Sequence, residues 1–226
     1  MRLHTQPLTW ILGLAAIALS AFAWLGAPAA DPAERVDVDV AYQSASFEQL
    51  ARESNVVASG QVVRISPTRW NQDDGTYWER TLTDAAGLET IEVALPYYQI
   101  EIAPERFVVD AGGGLSADGG PLTLTVVGMS PLDDPAGAGL AVSEQSLEQT
   151  APRVGDRVLV FATPMEIDWL GGSRKVLGPT GAPGQSVLGL APDGRFVSPG
   201  AGLAPATLDD LAARILSLRG AGGTTD

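Results

Sequence analysis

The run Asn55-Val56-Val57-Ala58-Ser59-Gly60-Gln61-Val62-Val63-Arg64-Ile65 constrains the fold more than any other stretch of the chain. Val and Ile at this density favour a strand, and a lone interior glycine marks a bulge or a bend where another backbone comes close. A long strand kinked at its centre can serve two sheets, as the first strand of a small closed barrel does. Everything after it is therefore expected to wrap around it.

Turn chemistry supports that expectation. Among 226 residues there are 26 Gly and 16 Pro, and only 18% are charged, a composition suited to many short strands joined by turns. The length fits one domain with an anchor and tails. The chain has no cysteine, and its single histidine, His4, precedes a hydrophobic segment. Beyond that segment a Ser-His-Asp triad, a Cys-His pair, a thiolate redox site, a disulfide and a His- or Cys-ligated zinc site are all excluded. Chemistry there is left to carboxylates, Ser, Tyr, the one lysine Lys175 or an Arg.

Thr5 to Ala30 carries no charge, and Leu8 to Leu25 is almost continuously apolar. With Arg2 before it and Ala27-Pro28-Ala29 after it, residues 1–30 read as a signal peptide or a retained membrane anchor, since roughly 20 apolar residues span a bilayer. Export to the extracellular space or the outer face of the cytoplasmic membrane is expected. Residues 31–45 follow as a linker or a short strand, with Val36, Val38 and Val40 alternating with Arg35, Asp37 and Asp39. All 27 acidic residues lie from Asp31 onward, and without Arg2 the basic residues there fall one short of the total of 14. Such a field repels phosphate backbones, so nucleic acid is not an expected partner.

Ser46-Phe47-Glu48-Gln49 is a capping box, and Phe47, Leu50 and Ala51 form one apolar stripe of a short helix leading into the bent strand. Ser66 to Thr90 is a long insertion holding Trp70, Tyr77 and Trp78 beside Asn71, Asp73, Asp74 and Gly75. Long loops on a rigid scaffold are where binding is placed, and aromatics contribute large contact area. Trp70, Tyr77, Trp78, Asp73 and Asp74 are therefore the candidate binding residues. The alternative is a hairpin turning at Asp74-Gly75, its aromatics folded onto the barrel. Asn71, Asp73 and Asp74 lack the alternating acids and distal Glu of a calcium loop, and no metal or cofactor is expected.

Further strands are expected at Ile91 to Ile102, continued by Phe107-Val108-Val109, at Leu122 to Gly128 and at Val154 to Thr163. Hairpins are expected around Gly171-Gly172 and Asp193-Gly194. The glycine runs at 112–114 and 119–120 lack the Lys-Ser/Thr of a phosphate loop and read as turns. Residues 130–153 read as a surface excursion. Thr207 caps a helix whose Leu208, Leu211, Ile215 and Leu218 recur at helical spacing up to Gly220, and a polar tail follows over 220–226.

The pattern therefore predicts an all-β class with minor α: a five- to six-stranded OB-like barrel over 46–219, a short N-terminal helix and a C-terminal helix packed on it. The short helix running into Asn55–Val62, the Val154–Phe161 strand, the Asp193–Val197 hairpin and the Thr207–Leu211 helix start together resemble uncharacterised exported bacterial proteins. Those have an OB-like barrel similar to the netrin and metalloproteinase-inhibitor modules. This chain lacks the cysteines of those modules, so the resemblance implies the barrel without the inhibitory edge, and it implies no catalytic residues.

The functional expectation is a non-enzymatic binding or adaptor module of the cell envelope, its partner an extracellular protein or small ligand. Two alternatives stand beside it. One is a carboxylate hydrolase of an extracellular glycan using two of Asp73, Asp74, Glu101, Glu105, Glu166 and Asp168. The other is a structural spacer.

Overall fold

The computed structural model describes residues 44–111, 119–133, 151–198 and 203–221. The apolar segment Leu8–Leu25, nearly all of the 31–45 linker, the glycines at 112–114 and most of the tail lie outside the described residues. No helix among the described residues is long and apolar enough to cross a membrane.

Chain order is α1 (Phe47–Glu53), β1 (Val56–Ile65), β2 (Arg69–Trp70), β3 (Glu79–Thr83), β4 (Glu89–Val93), β5 (Pro96–Asp110) and β6 (Leu122–Val127). There follow β7 (Arg157–Trp169), β8 (Gly172–Pro179), α2 (Pro183–Ser186), β9 (Val187–Leu190), β10 (Phe196–Ser198), β11 (Leu203–Ala206) and α3 (Leu208–Gly220). The fold is mostly β with minor α, as the sequence implies.

The bent strand is central. β1 pairs antiparallel with β5 along its length on one side and with β7 over Val56–Gln61 on the other, so its first half is sandwiched between two neighbours. Its register against β5 shifts between Val57 and Ala58, between Ser59 and Gly60 and between Val62 and Arg64. The last shift re-aims the side chains. Val56, Ala58 and Val62 face the main core, Val63 is exposed, and Ile65 returns to the core in the opposite phase, which is what an inserted bulge residue does to a two-residue repeat.

β5 also pairs with β6, and β7 also pairs with β8 and β9. β6 runs alongside β8 without a ladder between them. The strands β1, β5, β6, β8 and β7 thus form a coiled circuit with a single seam, and the ladders do not close the sheet into a barrel. The interior of the circuit is filled by Tyr98, Ile100, Ile102, Leu122, Leu124, Val126, Val158 and Val160.

A second core lies on the outer face of β1 and β7. Val57, Leu159, Phe161 and Leu188 meet Phe47 and Leu50 of α1 and Leu211 and Ile215 of α3. Phe47 packs edge-on to Phe161, with ring centroids 5.8 Å apart. Both expected caps are present: Ser46 and Gln49 exchange bonds at α1, and Thr207 accepts from the Asp210 N–H at α3. Arg219, near the end of α3, donates to the carbonyls of Ala51, Arg52 and Ser54 at 3.1, 3.2 and 2.7 Å, so one guanidinium satisfies the C-terminal end of α1. Arg219→Met is expected to destabilise the protein by about 1.5 kcal/mol, measured as a lower urea midpoint at unchanged m-value.

The boundaries depart from the sequence reading in particular places. β5 runs unbroken through Pro104, because Pro104 faces Gly60 at the register shift, where a missing N–H interrupts little. β7 continues thirteen residues to Trp169, merging the expected strand with the first arm of the next hairpin. The connection from β8 to β9 contains the helical turn α2, begun by Pro183, and β11 adds an edge strand that its small residues do not announce.

Candidate functional site

The insertion after β1 is neither a floppy loop nor the hairpin expected from Asp74-Gly75. Gly75, at φ +74°, closes a tight turn in which the Trp70 N–H donates to the Gly75 carbonyl at 3.1 Å. The hairpin lies further along, where β3 and β4 pair as a separate ribbon around a turn at Asp84–Gly87, organised by the Asp84 carboxylate accepting from the Ala86 and Leu88 N–H groups.

One buried side chain anchors this insertion. Asn71 Oδ1 accepts from the Leu95 N–H at 2.7 Å and from Trp78 Nε1 at 3.1 Å, and Asn71 Nδ2 donates to the Asp168 carbonyl at 3.0 Å. The Asn71 main chain adds a bond from its N–H to Leu95 O and one from the Leu170 N–H to its carbonyl. Asn71 is 5% exposed, so this amide ties the insertion simultaneously to the start of β5 and to the tip of the β7–β8 hairpin.

Between that insertion and that hairpin tip lies a cleft of about 210 Å³. Its floor is the outer face of β5 and β6, through Tyr97, Gln99 and Thr125. Trp169, Arg174 and Val176 of the hairpin and Arg69 and Asp73 of the insertion complete the lining. The cleft sits over the seam where β6 and β8 lack a ladder. Trp169 packs on Tyr97 with centroids 5.1 Å apart, and the Arg174 guanidinium stacks over the Trp169 ring at 4.3 Å while pairing with Asp73. The side chains come from regular strands and a locked turn, so the cleft is preformed.

The sequence candidates separate into different roles. Asp73 lines the cleft. Asp74 does not: its carboxylate accepts from the Thr76 N–H and Oγ1, both at 2.8 Å, and the Thr76 bonds hold its pKa below the ordinary carboxylate value. Because the folded state favours its ionised form, the turn is firm at neutral pH and loses this support as pH falls through the lowered pKa. Trp78 is half-buried, hydrogen-bonded to Asn71 and overlaid by Arg80 at 5.6 Å. Trp70 is half-buried and meets Tyr77 edge-on at 5.0 Å, with Tyr77 exposed at the surface. Trp70, Tyr77 and Trp78 are thus partly folded onto the scaffold, and none of them lines the cleft.

The carboxylates proposed for hydrolysis are dispersed. Glu101 pairs with Arg64, Glu105 with Arg157 and Asp73 with Arg174, while Glu166 and Asp168 lie exposed on β7. Asp73 is the one carboxylate lining the cleft among the described residues. No cluster of acids able to hold a metal ion occurs among those residues.

Tyr97, Gln99, Thr125, Trp169 and Arg174 carry the cleft and escape the sequence reading. The available signal was the alternation in β5, which sends Tyr97 and Gln99 to the face opposite Tyr98 and Ile100, together with a Trp placed directly before the Gly171-Gly172 turn. No family model and no curated protein matches the chain.

Proposed function

We propose that this chain is an exported, non-enzymatic binding module of the cell envelope, and that the cleft over β5 and β6 is where it takes its ligand. The observation that carries the reading is the preformed cleft itself, with aromatic, amide, hydroxyl and guanidinium groups converging between the insertion and the β7–β8 tip. Small OB-like barrels bind ligands on this kind of strand face between flanking loops. The lone, ion-paired carboxylate in the cleft favours recognition over acid–base hydrolysis, which needs two carboxylates at a defined separation.

At 210 Å³ the cleft is smaller than the roughly 300–1,000 Å³ of sites that enclose a drug-sized molecule, so it takes one residue or one end of a ligand. The test is a thermal-shift screen of envelope sugars, peptides and small metabolites against the native protein and a Gln99→Ala/Trp169→Ala variant. Ligands that stabilise the native protein and not the variant support the reading. Ligands that stabilise both equally, or that lose binding in a Trp70→Ala/Tyr77→Ala variant instead, overturn the cleft assignment. Arg174→Met is expected to cost about 1 kcal/mol or less in stability, because its pair with Asp73 is solvent-exposed, and to weaken binding of any such ligand.

A further inference from the structure

The chemistry of the cleft is lopsided toward hydrogen-bond donors. Arg174 pairs with Asp73 through one carboxylate oxygen and stacks over the Trp169 ring, so its charge is offset within the cleft. Arg69 is different. It forms no ion pair with a carboxylate of the described residues, as is also true of Arg52, Arg153, Arg195 and Arg219, but it alone of these lines the cleft, with Asp74 near enough to feel its charge. A guanidinium carries five N–H donors and stays charged at every accessible pH. Trp169, also in the lining, has its Nε1–H buried without a hydrogen-bond partner. That indole N–H is itself covered, so the donor open to the cleft is the exposed Arg69 guanidinium, and it calls for an acceptor.

Arg69 also lies over the turn. A Cβ on Gly75 would stand 2.5 Å from Arg69 Nε and 3.0 Å from its Nη2, so the side chain lies across the bare backbone of the turn. The same turn places Asp74 beside it, and Asp73 stands in the lining. A guanidinium without an ion pair, with Asp74 beside it and the paired Asp73 in the same lining, suits a single negative charge and penalises a dianion. A planar carboxylate matches the guanidinium fork with two parallel bonds, which a phosphate dianion in this setting would gain only against repulsion. The aromatic pair Tyr97 and Trp169 supplies an apolar platform for whatever ring or chain bears the charge.

We infer that the cleft recognises a carboxylate, carried on a ligand portion about one ring in size, with Arg69 as the residue that grips it. This rests on the cleft being the binding site. It also places anion recognition within a chain of formal net charge −13, where the overall field opposes anions and only a local cation can reverse it.

The experiment uses the full chain and two matched probe pairs: glucuronate with glucuronamide, and phenylacetate with phenylacetamide. Binding is followed by NMR at the amides of Gln99, Thr125 and Val176 and at the Trp169 indole. The carboxylates are expected to bind at least tenfold tighter than their amides, Arg69→Gln to erase that preference, and Arg69→Lys to keep part of it. A preference for glucuronate over phenylacetate assigns the carboxylate to an acidic sugar, and the reverse assigns it to an aromatic acid. Amides that bind in the cleft as well as the acids overturn the carboxylate inference and leave the cleft reading intact. Carboxylate binding that shifts only signals remote from the cleft overturns both. Inorganic phosphate binding more tightly than either acid, or no cleft signal moving at acid concentrations about tenfold above a millimolar Kd, overturns the carboxylate inference alone.

Discussion

Gly60→Val is expected to destabilise the protein by about 3 kcal/mol or more, beyond the usual range for inserting methyl groups into a core. A Cβ at this position would sit well inside contact distance of the Ala103 carbonyl oxygen, 2.8 Å from Ile102 Cγ2 and 3.0 Å from the Ala103 carbonyl carbon. The obstacle is mostly backbone, and β1 cannot retreat from it because β7 pairs along its other edge. Relief therefore requires breaking one of two ladders. Gly60→Ala should lose nearly as much as Gly60→Val, since the first carbon already collides, whereas an ordinary strand glycine gains stability or changes little on acquiring a β-branched side chain. Gly189→Ala is the control: it too lies in a strand against β7, but nothing stands within 4 Å of its Cβ, and it should change stability by less than about 1 kcal/mol. Urea denaturation measures all three. Equal midpoints for the Gly60 and Gly189 variants would mean that β1 and β5 do not approach each other as described.

Asn71→Ala is expected to release the insertion while the core stays folded. The substitution strands the Trp78 Nε1–H, the Leu95 N–H and the Asp168 carbonyl, and leaves only the two main-chain bonds of Asn71 to join the insertion to the start of β5 and to the β7–β8 tip at this point. A buried polar group left unsatisfied costs about 1–3 kcal/mol, so local docking loses on the order of 3 kcal/mol or more. Asn71→Asp should fare no better, because it replaces the donor to the Asp168 carbonyl with a negatively charged oxygen. Hydrogen exchange should show lost protection at 68–95 and at the β7–β8 tip, with protection in β1 and in the inner residues of β5 retained. Near-UV circular dichroism should lose the contribution of the fixed Trp78 ring. Binding at the cleft should fall with it, since Arg69 and Asp73 are carried by the released segment. Unchanged exchange at 68–95 would remove Asn71 from its central role.

Much of the scaffold was legible because its signals are local. Ser46 with Gln49 and Thr207 with Asp210 mark helix starts through contacts three residues apart, and these caps form as expected. Leu122–Val127 and Val158–Ala162 are strands because β-branched and apolar residues leave little else for them to do. Elements with weak local preference were harder. β11 is a strand through pairing with β10, and Pro104 lies inside β5 because its neighbour across the sheet is a glycine at a register shift.

The candidate site divided along the same line. Composition directed attention to the aromatics of the insertion, and Trp70, Tyr77 and Trp78 do cluster there. Their neighbours decide what they are for. Trp78 is engaged by Asn71, whose sequence context resembles any polar loop, and the residues of the cleft are drawn from β5, β6, β7, β8 and the insertion. Arg69 and Arg174 carry no sequence signal that sets one apart from the other as a ligand contact. Only the pairing of Arg174 with Asp73, across 101 positions of chain, leaves Arg69 as the unpaired one.

By itself the sequence determined the class: a β-rich fold about a long strand bent at Gly60, two capped helices, and a described domain without the thiol or imidazole for nucleophilic or zinc chemistry. Backbone propensity, side-chain alternation and the presence or absence of a reactive group are properties of single residues and short windows, so they are readable without a partner. The tertiary structure decided the rest: the seam between β6 and β8, the amide that locks the insertion, and the charge balance of the cleft above the seam. Each of these depends on which distant groups satisfy one another, and hydrogen-bond satisfaction and ion pairing are settled only when the chain has brought both partners to the same place.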